Sequence, residues 1–254
     1  MDSALEIRNA VSGVNALRQA ANNNPELALA VHAVKRFQQR RFSATYYDLL
    51  TDVRYLDATG FFLTELYGDS NYVERDTQFA RVAGAIQRLL PHSAVETAVS
   101  LARLHGLSEQ LDHDMGLAWL AVGQSTASSD AHRYVRAWRM TGARARRTEQ
   151  LTRVLAIGRD LDRLTRARGL RVMLRAMRGP AGAAGLLALQ KFLEAGFDAF
   201  ASMGKVDPGA SGFLELIRRR EECLMAALFN AELDDCVRQL QETMTRAPKP
   251  IGVK

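Results

Sequence analysis

"SAVETAVSLARLHGLSEQLDHDMGLAWLAV", residues 93–122, runs for thirty residues without a proline, and its apolar side chains return every three or four positions. That spacing is the pattern of a helix with one buried face. It predicts a helix from about Ser93 to Val122, which is long for a globular protein, and so sets the class of the whole chain. Working outward, Pro91 stops a preceding helix that begins near Val73. Asn24-Pro25-Glu26 combines an N-cap, a proline at the first helical position and an acid in the first turn. It opens a helix to about Phe42, behind an amphipathic helix over residues 3 to 22. Helices over 44–52 and 55–67 follow, with Gly68 as C-cap and "DSNY" as the turn.

Downstream, "GQSTASSD" (123–130) is the clearest loop and the expected hinge between two halves. Helices are expected near 130–141, 144–168 and 170–178, from Pro180 to about Met203, and from about Phe213 to Met244. The tail "RAPKPIGVK" is basic and broken by prolines, which predicts a flexible end over 247–254. No alternating strand pattern and no fixed repeat occurs. The reading is all-α: a single compact bundle of roughly ten helices, with residues 1–246 as one domain.

The chain has 254 residues, 47% of them hydrophobic and 24% charged, ample for a buried core. The most apolar stretch, "GPAGAAGLLALQKFLEAGF", is interrupted by Lys191 and Glu194, so no membrane span is expected. "MDSALEIRNA" lacks the basic start of a signal peptide, which predicts a cytoplasmic location. Cys223 and Cys236, placed on one helix, sit too far apart to bridge and are expected as free thiols. Between Arg133 and Arg178 there are fourteen arginines against three acids (Glu149, Asp160, Asp162), a surplus of eleven in a chain of net charge +6. Such a surplus either contacts a polyanion or is balanced by acidic helices inside the molecule.

Two constellations carry candidate chemistry. On a helical wheel of "RYLDATGFFLTELYGD" (54–69), Asp57, Gly60 and Thr64 form the solvent stripe, and Glu65 falls among Phe61, Ala58 and Phe62. A carboxylate there needs a cation or a protonation shift. "ERDTQFAR" offers Arg75 and Arg81, and Asp76 lies between them. The bland reading is an ion pair that fixes how two helices dock. The sharper one is a catalytic or metal-binding carboxylate in an aromatic-walled pocket, with Tyr55 or Tyr67 nearby and the whole set a candidate ligand site.

In "LHGLSEQLDHDM" (104–115), His105, Glu109 and Asp112 share one helical face and could converge on a divalent cation. Ala98, Ala102 and Gly116 extend the same strip, which suits close approach of a neighbouring helix and hydrogen bonds or ion pairs along it. No ExxH pair, HExxH, phosphate loop, dinucleotide fingerprint or nucleophile elbow is present. "GPAGAAG", with Arg175 and Arg178 before it, is a candidate anion cradle.

The segments "FQQRRFSATYYDLLTDVRYLDATGFFLTELYGD", "RDTQFARV", "LARLHGLSEQLD" and "LRAMRGPAGAAGLLALQKFLEAGFDAF" together resemble a bacterial family of uncharacterised helical proteins, over roughly residues 32–230. The FFLxELYG run is the most distinctive part. The resemblance implies one structural unit and no catalytic residues. The leading expectation is a protein that acts by binding a partner protein or a small anionic ligand. The first alternative is a helical enzyme or carrier with a metal or haem. The second is nucleic-acid or other polyanion binding through 133–178. The sequence decides neither enzymatic activity, nor cofactor, nor whether the chain forms a homo-oligomer.

Overall fold

The structure, a computed structural model, describes residues 2–66, 72–123, 129–167, 169–204 and 207–246. Among these residues the regular elements are all helices. They are α1 (Ser3–Asn22), α2 (Pro25–Thr45), α3 (Tyr47–Thr51), α4 (Leu56–Phe61), α5 (Val73–Leu89), α6 (His92–Val122) and α7 (Asp130–Thr141). Then follow α8 (Arg144–Thr165), α9 (Leu170–Ala176), α10 (Arg178–Ala183), α11 (Leu187–Met203), α12 (Gly209–Asn230) and α13 (Leu233–Arg246). A π-helical turn, Phe62–Leu66, continues α4. No helix of the described residues is long and apolar enough to cross a membrane.

Local chemistry accounts for the starts. The Asp2 carboxylate accepts from the first N–H groups of α1, Asn24 accepts from Leu27 N ahead of Pro25, and Ser129 accepts from His132 N. Gly142 ends α7 in the left-handed conformation. The 31-residue α6 is the spine, with α1, α2, α7 and α8 packed along it. A Cβ on Gly116 would lie 2.5 Å from Val31 Cγ2 and 3.3 Å from Val31 N, so the glycine lets α2 close on α6.

Among the described residues three apolar clusters result. One joins Tyr55 and Phe62, which flank α4, to Phe200 of α11 and Phe213 of α12. A second joins Phe37, Trp119, Tyr134, Trp138 and Leu228. A small third joins Ile7, Ala83 and Val99 of α1, α5 and α6.

Three expectations are corrected. The helix expected over 55–67 is α-helical only to Phe61, and the π turn rotates everything after it relative to a 100° wheel. The helix expected from Phe213 to Met244 breaks at Ala231, which is extended, because Arg139 of α7 donates to the carbonyls of Leu228 and Ala231 and so completes the end of α12. Cys223 and Cys236 therefore sit on different helices; both are free, the first exposed and the second buried. The helix expected over 180–203 breaks at Gly185 (φ +66°), where Arg81 donates to the carbonyls of Ala184 and Gly185. Tyr67, the Gly68 cap, most of the 123–130 hinge (residues 124–128) and the 247–254 tail lie outside the described residues.

Candidate functional site

A cavity of about 220 Å³ runs beside α6, walled by α5, α8, α9, α11 and the α4–π turn. The α6 residues that line it recur at helical spacing from Ala94, Ala98 and Leu101 to His105, Ser108, Glu109 and Asp112. At 1.5 Å per residue that face is about 27 Å long. Helix α8 runs antiparallel to α6, since Gln150 donates to Ser108 and Arg146 pairs with Asp114. The cavity is thus a slot with unlike ends. Ile86, Leu90, Ala94, Leu161 and Leu164 line the apolar end; Lys35, Gln38, Glu109, Asp112 and Gln150 line the polar one.

The polar side is held by a chain of ion pairs. Asp76, 3% exposed, lies 2.9 Å from Arg18 Nη2, 2.8 Å from His105 Nε2 and 3.4 Å from Arg75 Nη2. Burial pushes its pKa up, but His105, Arg75 and Arg18 outweigh burial and hold the carboxyl below its usual range. Glu109 lies 2.8 Å from Lys35 Nζ and 3.5 Å from Arg18. Burial is again outweighed there, chiefly by Lys35, and the pKa is lowered. Asp112 differs: it accepts from Gln38 at 3.1 Å and stands 4.0 Å from Lys35, and burial dominates, so its pKa is raised. Arg75 donates to the Glu65 carbonyl at 3.0 Å, lies 3.7 Å from the Glu65 carboxylate, and stacks its guanidinium over Tyr72 and Phe192.

The structure brings Glu65, Arg75, Asp76, His105, Glu109 and Asp112 to this one slot. Tyr55 is buried against Phe213 in the core and does not line the slot, and Arg81 serves the α10–α11 break instead. Arg175 is exposed on α9, and Arg178 pairs with Glu194, so neither faces the slot. Among the described residues, no group of three or more His, Cys, Asp or Glu side chains is placed to hold a metal ion. The physical reason is local: Asp76 and Glu109 are already turned to cations, and His105 Nε2 to Asp76.

Arg18, Lys35, Gln38 and Gln150 were missed in the sequence. The available signal was weak: Lys35 and Gln38 share one side of α2 at i, i+3. Several arginines of 133–178 are paired within the chain, although Arg147 is the one buried among those described and Arg166 and Arg171 stay exposed. Arg133 donates to the Trp119 carbonyl, Arg146 pairs with Asp114, Arg153 with Glu149, Arg166 with Asp162 and Arg171 with Asp198.

Residues 17–235 match the family described as Domain of unknown function (DUF8198). No curated protein matches the chain, and no solved structure does.

Proposed function

We propose, for a chain that belongs to this family of unknown function, that it works by binding an elongated small molecule with an apolar body and one polar end. The observation that carries the reading is the slot itself, whose lining changes from Ile86, Leu90 and Ala94 at one end to Lys35, Glu109 and Asp112 at the other. Burying a methylene contributes about 0.8 kcal/mol. Eight of them in the slot would therefore contribute about 6 kcal/mol before the cost of ordering the ligand. Ligand sites are typically apolar clefts with a few polar groups that fix orientation, and the slot has that composition.

Fluorescence titration with 11-(dansylamino)undecanoic acid, followed by displacement with dodecanoic acid, tests the reading. Saturable enhancement is expected. Ala98→Phe, which fills the apolar end, should weaken binding about tenfold or more, since losing two buried methylenes alone approaches that factor. No enhancement with the native chain, or full affinity in Ala98→Phe, would remove the slot as a binding site.

A further inference from the structure

A second, smaller cavity of about 60 Å³ adjoins the polar end of the slot; Gln38, Phe62, Gln150 and Val154 line both. It lies between α2, α7, α8 and α12, and its chemistry is one-sided. Arg41 Nε, Tyr134 Oη and Trp138 Nε1 are buried without a hydrogen-bond partner among the described residues. Their residues are only 4%, 1% and 5% exposed. Arg147, also buried, places its guanidinium 4.3 Å from the Trp138 ring centroid and donates to Gln150. The carboxylate in the lining is Glu221, and it is engaged already: one oxygen accepts from Arg41 Nη1 at 2.7 Å and from Tyr46 Oη at 2.6 Å.

Buried donors in folded proteins are nearly always paired. Here the Arg41 Nε–H, a phenol and an indole N–H line one small cavity, beside a second guanidinium, that of Arg147, and one lining carboxylate, Glu221. What completes such a lining is a group with several acceptor oxygens and a negative charge. Ionised carboxylate offers about four acceptor sites and no donor, whereas water brings two hydrogens that would meet more donors. Charge-assisted bonds to guanidinium are also the stronger kind. Burial raises the Tyr134 phenol's pKa, which keeps it a donor.

We propose that this chamber is an acid-group site, receiving the carboxylate or phosphate at the polar end of the molecule held in the slot. The inference rests on the slot reading for its ligand, and on the unpartnered donors for its chemistry.

The test titrates the full chain at pH 8, with dodecanoic acid, 1-dodecanol and inorganic phosphate each used alone. Tyr134→Phe and Trp138→Phe serve as the main variants. Tyr134→Phe removes one donor and keeps its ring. Trp138→Phe removes the indole N–H but leaves a smaller ring in the core, so its thermal melt is recorded alongside. Neither strands the half-buried Glu221 as Arg41→Met would. The acid should bind about tenfold or more tighter than the alcohol, as expected for a charged group meeting buried donors. Both variants should shrink that ratio, weakening the acid more than the alcohol. Equal affinity for acid and alcohol, or a ratio that neither variant alters, would mean that the chamber holds only water, and would overturn the inference while the slot reading survives. If neither dodecyl compound binds, the slot reading fails by itself. Phosphate binding lost in Trp138→Phe would then keep the chamber as an anion site but overturn its coupling to the slot, and no phosphate binding would end both.

Discussion

At the scale of single residues, Asp76 is the joint of the site. Its carboxylate meets Arg18, Arg75 and His105 while almost wholly buried. Removing its charge takes a buried partner from three side chains at once, although Arg18 keeps Glu109 and Arg75 keeps Glu65, at a cost of about 3 kcal/mol. Asp76→Asn should therefore lower the urea midpoint strongly at pH 7. The acid side has a definite sign. Asp76 and Glu109 have folded pKa values below the unfolded ones, so their contribution is present above about pH 4 and is lost as pH falls through the folded values. Asp76→Asn should flatten that acid limb. Asp112 has the opposite sign, because burial raises its pKa: its contribution is present below about pH 4 and is lost as pH rises through the folded value. Asp112→Asn, which can still accept from Gln38, should gain on the native chain between pH 4 and pH 8 in the same urea series. A parallel offset at all pH values would contradict the assignment. Sequence reasoning placed the buried acid at Glu65 rather than Asp76. The wheel assumed 100° per residue through a turn that is π-helical, and Glu65 ends with its side chain 34% exposed.

At the scale of elements, the helices were legible where the signal is local. The cap at Asn24 and the unbroken periodicity of α6 are written in neighbouring residues. The breaks at Ala231 and Gly185 were not, since each is completed by an arginine from a distant helix, Arg139 or Arg81. Periodicity carries no trace of a cap supplied across space. The small-residue strip on α6 was legible, and Gly116 within it now separates from Gly106, which was not placed in the strip. A methyl on Gly106 would find only the Ala10 carbonyl oxygen, at 4.0 Å, whereas one on Gly116 would meet Val31 and Leu27 of α2. Gly106→Ala should stabilise by about 0.5–1 kcal/mol through helix propensity. Gly116→Ala should destabilise by about 1–3 kcal/mol, because overpacking outweighs the same propensity gain. Thermal melts of the two variants should shift in opposite directions; shifts of the same sign would mean that α2 yields freely.

At the scale of the whole molecule, the slot was not legible. It appears only when α8 lies antiparallel on α6 and α2 delivers Lys35 to the end where Glu109 and Asp112 sit. The same assembly makes the walls unequal. Helix α6 buries residues along nearly its whole length, from Val95 to Trp119. Helix α9 buries none and α10 only Ala181, yet Leu170, Met173 and Leu174 of α9 line the slot. Local opening free energy follows buried contact, so stability should be graded across the site. Hydrogen exchange read by mass spectrometry should find the central α6 amides exchanging only through global unfolding, and those of α9 at least about 100-fold faster through local opening. Dodecanoic acid bound in the slot should slow α9 far more than α6, because a ligand adds its binding free energy to the state that holds it and α9 has the most to gain. Equal protection of α9 and α6 without ligand would show that the thin wall is as firmly held as the spine. A ligand effect absent from α9 would place the bound molecule away from Leu170, Met173 and Leu174.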